Sequence, residues 1–137
     1  MEYQPLKLEV VSADKMVMQC DAVNVIARTD EGDIGILPGH EPLMAALVPC
    51  MVEIVVAEGR TEILAIDGGL LAVAQGHVRI LSHEVKLAEE IFLEEARLEA
   101  HDLRHLRSEG GATDEQVHRL HILNAQIRAG KKYQSSH

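Results

Sequence analysis

The sequence predicts an all-β sandwich over residues 1–85 followed by a C-terminal antiparallel α-helical hairpin over residues 86–137. Three observations carry this. Apolar residues recur with period two as far as about residue 84, turn signals interrupt them every eight to twelve residues, and beyond Glu84 the period changes to that of a helix.

In the first half, "LKLEV" places Leu6, Leu8 and Val10 on one face of a strand and Lys7 and Glu9 on the other. "VNVIA" does the same with Val23, Val25 and Ala27, and "HVRIL" with Val78 and Ile80. Further short apolar segments occur at "MVEIVV" (51–56) and "EILAI" (62–66). Between them "SADK", "RTDEGD", "AEGR", "IDGG" and "AQG" read as turns. Many short strands of this kind form a sandwich or barrel.

In the second half, residues 86–107 lack glycine and proline and are rich in Leu, Ala, Glu and Arg, all good helix formers. At 100° per residue Ala88, Phe92, Ala96, Leu103 and Leu106 share one stripe. Gly110 and Gly111 end this helix. "TDEQ" is a capping box, in which Thr113 accepts from the Gln116 N–H and the Gln116 side chain reaches back. Val117, Leu120, Leu123 and Ile127 are the stripe of a second helix, expected to stop at Gly130. A hairpin this small is marginal alone and needs a surface to lean on.

Composition narrows the function. The chain is 47% apolar, yet Tyr3, Phe92 and Tyr133 are its only Phe, Tyr or Trp residues, so base stacking and carbohydrate stacking have little to use. A net charge of −9 repels a phosphate backbone, which disfavours nucleic acid as a partner. Cys20 and Cys50 have no C-x-x-C spacing and read as free thiols in a reducing compartment. The start, "MEYQPLKLEV", has no basic region leading into an apolar one, so no signal peptide is expected, and no apolar run is long enough to span a membrane. The motifs G-x-S-x-G, G-x-x-x-x-G-K-[ST] and H-E-x-x-H are all missing, which points to a non-catalytic chain.

One stretch stands apart. "EGDIGILPGHEPLMAAL" (31–47) is apolar throughout, yet Gly35, Pro38, Gly39 and Pro42 interrupt it within eight positions. Proline lacks the N–H that a central strand needs and glycine raises the ordering cost, so it is a poor helix and a poor central strand.

With "LEVVSADK" (8–15), "DGGLLAV", "GHVRIL" and the two-helix end, this stretch resembles the epsilon subunit of F-type ATP synthase, called delta in mitochondria. The resemblance covers nearly the whole chain. It implies a sandwich of about ten strands that grips the gamma subunit and sits on the c ring as part of the central stalk. That rotor position couples ion flow to ATP synthesis. The hairpin is implied to restrain ATP hydrolysis by extending along gamma toward the alpha and beta subunits. The implied location is the cytoplasmic face of the bacterial inner membrane, as a peripheral subunit.

The resemblance places Asp33 near the polar loops of the c ring and Ser12 and His40 toward gamma. Gly35 and Gly39 permit turns and close approach there, and Pro38 and Pro42 hold the loop extended at little entropy cost on binding. Some bacterial relatives bind ATP on the hairpin as a regulatory ligand. The matching stretch here, "LEEARL" (93–98), has Glu94 in place of an aspartate and Leu98 in place of an alanine. Arg97, with Arg119 or Arg128, is the implied phosphate contact, against a plain Glu94–Arg97 surface pair.

His101 and His105, and His118 and His121, have spacings that suit metal ligands, but no zinc motif accompanies them and a solvated surface is the expectation. Two rival readings are a free-standing β-sandwich binding module and a nucleotide or metal sensor built on the hairpin.

Overall fold

Residues 3–136 are described in the computed structural model of the chain. Seven strands precede two helices: β1 (Leu6–Val11), β2 (Met16–Thr29), β3 (Gly32–Ile36), β4 (Leu43–Val56), β5 (Thr61–Ala74), β6 (His77–Leu81), β7 (Val85–Leu87), α1 (Leu93–Ser108) and α2 (Asp114–Ser136). The expected strand count of about ten is therefore corrected to seven among the described residues. The reason is length. β2, β4 and β5 run 14 residues each and serve different partners along their course.

The pairing closes on itself. β1 pairs β6 in parallel, β6 pairs β5, β5 pairs β4, β4 pairs β2, and β2 returns to β1. β3 hangs on the far end of β2, and β7 pairs the first half of β5. The expected alternation fills the interior: Leu6, Leu8 and Val10 of β1, Val25 and Ala27 of β2, Val52, Ile54 and Val56 of β4, and Val78 and Ile80 of β6 are buried in one core.

Left-handed backbone shapes both the β5–β6 turn and a bend within β5. Gln75 (φ 50°) and Gly76 (φ 78°) join β5 to β6 in a two-residue hairpin, the geometry that matches strand twist. Residues 67–69, expected as a turn, instead lie inside β5. Gly68 (φ 109°) and Gly69 (φ 143°) bend the strand there, so that Leu64–Ile66 face β7 while Leu70–Ala74 face β6. Gly69 cannot be replaced without movement, since a Cβ would meet the Leu81 carbonyl oxygen. Asp67 ties the bend, accepting from the Glu84 N–H (3.0 Å) and the Ser82 hydroxyl (2.8 Å).

The helical half begins later than its composition suggests. Residues 85–87 form β7 and residues 88–90 a single 3-10 turn, because the free edge of β5 offers pairing that outweighs helix propensity. Ala88 packs on Ile63, Ala65 and Ala129, and Phe92 is 73% exposed, so neither joins the expected stripe. The buried stripe of α1 is Leu93, Ala96 and Ala100 with Leu103, packed on Leu120, Leu123 and Ile127 of α2.

α1 closes as expected: Gly110 turns left-handed (φ 78°), and the Gly111 and Gly110 N–H groups donate to the Leu106 and Arg107 carbonyls, both at 3.0 Å. The capping box forms reciprocally, with Gln116 N–H to Thr113 Oγ1 at 3.1 Å and Thr113 N–H to Gln116 Oε1 at 2.9 Å.

α2 does not stop at Gly130. The glycine is buried in mid-helix, where a Cβ would stand 3.2 Å from Leu93 Cδ1. It permits close approach; it does not end the helix. A second side of α2 lies on the sheet, with Ala129 and Tyr133 against Met51, Ile63 and Ala65. Lys132 reaches Glu53 of β4 at 3.7 Å.

Candidate functional site

The irregular stretch divides into an edge strand, a tight turn and the start of a long strand. Among the described residues β3 pairs only with β2, so Gly35 and its neighbours occupy an edge, where a weak strand former is tolerated. Residues 37–40 make a turn closed by the His40 N–H donating to the Leu37 carbonyl at 3.1 Å. Pro38 supplies the fixed φ of its second position and Gly39 (φ 85°) the positive φ of its third, the pattern of a type II turn. His40 Nδ1 donates to the Glu41 carbonyl at 2.7 Å, which puts the ring proton on Nδ1 and stiffens the exit from the turn.

This corner is apolar and open. Leu37 is 57% exposed and Met44 70%, while Ile36, next to Leu37 in the chain, is buried in the core. Gly35, Gly39, Glu41 and Pro42 are exposed, and Pro38 and His40 are half-buried. Tyr3, itself 63% exposed, lays its ring on Gly39: a Cβ there would meet the ring at 2.8 Å. Sequence reasoning missed Tyr3, whose position before the first strand carries no periodic signal. Exposed apolar residues clustered at a conformationally fixed corner suit contact with another protein.

The polar residues assigned to the same surface differ among themselves. Asp33 is exposed on β3, opposite Arg28 in the register with β2. Ser12 is buried, and its hydroxyl donates to the Asp14 carboxylate at 2.9 Å within the β1–β2 turn, with the Lys15 carbonyl oxygen at 3.3 Å. Its side chain shapes the turn from within.

On the helices, Arg97 donates to Glu94 at 3.0 Å as an exposed i, i+3 pair. Arg119 forms a two-point bond with Glu99 of α1, at 2.8 and 3.2 Å, and Arg104 donates to Asn124 at 3.0 Å, so these two side-chain pairs tie the helices together. The guanidinium of Arg119 holds the Glu99 carboxyl below its usual value. Arg128 lines a separate open cleft with Met51, Ile127, Lys131 and Lys132. Arg97 and Arg119 are thus each engaged by a carboxylate, and Arg128 faces a different cleft. His101, His105, His118 and His121 are exposed, with His105 3.1 Å from Glu109. Burial raises the thiols of Cys20 and Cys50 above their ordinary value, and both are free.

Comparison with known proteins adds three findings. Residues 5–88 match the family described as ATP synthase, Delta/Epsilon chain, beta-sandwich domain. The chain is 42% identical to the ATP synthase epsilon chain of Cutibacterium acnes over 96% of its own length and 95% of the relative's. It is 33% identical to that of Nocardia farcinica over 96% and 94%. Among solved structures it shares its fold with a chain of the Euglena gracilis mitochondrial ATP synthase (TM-score 0.71, 24% identity, 99% of this chain and 84% of that one).

Proposed function

Because this chain belongs to the delta/epsilon family of ATP synthase subunits, and is a non-catalytic member of it, we propose that it grips gamma and the c ring through the 31–47 corner. The observation that carries this reading is the exposure of Leu37 and Met44 at a corner whose backbone is fixed by Pro38, Gly39 and two hydrogen bonds. A preshaped apolar corner loses little entropy on binding, and its burial is favourable at about 25 cal/mol per Å². Gly35, Pro42 and His40 shape the surface, Asp33 offers it a charge, and Ser12 supports the neighbouring turn.

The division of labour we infer is a sandwich, residues 1–85, that binds the rotor, and a regulatory helical hairpin, residues 86–137. The antiparallel course of the helices is supported by the five-residue connection and by Leu93 lying against Gly130. Lifted from the sheet and extended along gamma, the hairpin meets alpha and beta and restrains hydrolysis. The subunit acts as a peripheral part of the complex at the cytoplasmic face of the membrane. No helix among the described residues is long and apolar enough to cross a membrane.

Capture of the chain by purified gamma tests the corner. Leu37→Asp with Met44→Asp should leave the far-UV dichroism intact and abolish capture. Undiminished capture by the folded double variant would overturn the assignment of the corner.

A further inference from the structure

We propose that the gamma contact of this chain runs beyond the 31–47 corner, along an apolar row on the outward face of the sandwich that ends at Met16. Five neighbouring strands contribute one residue each. Met16 of β2 pairs with Val11 of β1, Val11 with Leu81 of β6, Leu81 with Leu70 of β5, and Leu70 with Ala46 of β4. Directly paired residues project from the same side of a sheet. That side is the outer one, because the residues one step along, Val10, Ile80 and Leu71, pair with one another and are buried in the core. Met16 is 48% exposed and Leu81 40%, Ala46 is exposed, and Val11 and Leu70 are half-buried.

The outward face of an antiparallel sheet is ordinarily polar. The next row follows that rule: Gln19, Glu9 and Arg79, with Arg79 donating to Glu9 at 3.2 Å. The Met16 row does not, and a break in alternation contributes to it. A register shift after Val10 sets Met16 opposite Val11, while Val17 and Met18 both pack inward. Elsewhere the chain covers outward apolar residues itself, as where Met51 and Ala65 pack with Ala129 and Tyr133 of α2. None of the five row residues belongs to the clusters in which the helices pack. Four strand spacings of about 4.8 Å make the row roughly 19 Å long. One end reaches Met44, two positions from Ala46 on the same face of β4 and already part of the corner. The other end adjoins Ser12, which follows Val11 in the chain. The row therefore joins the two places directed to gamma, the His40 corner and the Ser12 turn, and β3 with Asp33 stands outside it. That continuity makes gamma, in preference to a second copy of this chain, the occupant of the row.

The inference rests on the proposed binding of gamma, and the test keeps the row and the corner apart. Methionine oxidation by dilute peroxide, read peptide by peptide by mass spectrometry, is followed in the full chain with and without purified gamma. At gamma about ten times its dissociation constant, Met16 oxidation should slow about tenfold, since only the free tenth of the chain reacts. Met51, packed with α2, is the internal reference and should not change. Protection of Met44 without Met16 overturns the row and leaves the corner standing, whereas protection of Met16 without Met44 upholds the row and removes the corner. Equal slowing of Met51 overturns the row as a specific contact. So does Met16 oxidation in the free chain that quickens on dilution, which would make a second copy the occupant. As a second measurement, Leu81→Lys should weaken capture by gamma about thirtyfold, with Thr61→Lys, exposed at the far end of β5, as the control. Undiminished capture by a Leu81 variant of unchanged far-UV dichroism overturns the row.

Discussion

Gly69→Ala is the sharpest test of how β5 serves two neighbours. A Cβ at this position would overlap the Leu81 carbonyl oxygen and stand 3.1 Å from Ser82 Cα, and the backbone φ is 143°. The backbone conformation alone costs an L side chain about 1–3 kcal/mol. Relieving the overlap requires β5 and β6 to part near Leu70–Leu81, which adds about 1–3 kcal/mol of the overpacking kind. The total is about 4 kcal/mol, a large part of the roughly 5–15 kcal/mol that holds a domain of this size. Gly59→Ala is the control, with a positive φ of 105° and nothing within 4 Å. It should lose only the conformational part, about 1–2 kcal/mol. Urea unfolding followed by far-UV dichroism would read the difference. At a slope of about 2 kcal/mol/M the Gly69 variant should fall by about 2 M in midpoint, with the slope unchanged, and the control by less than half that. Equal losses would show that the Leu81 carbonyl yields freely and that the bend is not pinned.

Truncation after Ile91 should leave a folded sandwich that still binds gamma, because it retains β7, while hydrolysis by the complex rises; unchanged hydrolysis would remove the inhibitory role. Truncation after Glu84 should cost stability as well, since Leu64–Ile66 lose a paired neighbour, and thermal melting compares the two. The Glu99 carboxyl is lowered in the folded state, so its contribution is complete above the ordinary value of 4.5 and is lost as pH falls through the lower folded value. Both partners are about half exposed, so Glu99→Gln should cost only a few tenths of a kcal/mol at pH 7, measured by melting, and nothing below the folded value. Cys50, buried and raised by that burial, should react with a thiol reagent at pH 8 more slowly than half-buried Cys20, and equal rates would mean that β4 opens easily.

Legibility in the sequence followed the range of the physics involved. Strand alternation and the capping box are local, and both were visible: Leu6–Leu8–Val10 and Thr113–Gln116 stand where the pattern put them. What depended on distant neighbours was misread. Val85–Leu87 looked helical by composition but found an open strand edge, and Gly130 looked like a terminator until Leu93 stood against it. Gly68 and Gly69 looked like a loop because a bend within one strand and a turn between two use the same residues. At the corner, the Pro-Gly turn was legible, while the Tyr3 ring over Gly39 was not, since nothing in a lone tyrosine announces its resting place.

The parallel pairing of β1 with β6 joins Glu9 to Arg79, seventy positions away, and it is the seam that completes the ring of strands. Ribosomal synthesis delivers those two edges at widely separated moments, so the N-terminal strand has only β2 to hold until residue 81 emerges. Contacts this distant in sequence slow folding in general, because the chain between them must be ordered before they form. The helices follow it in the chain and rest on a β5 surface that belongs to the same ring of strands.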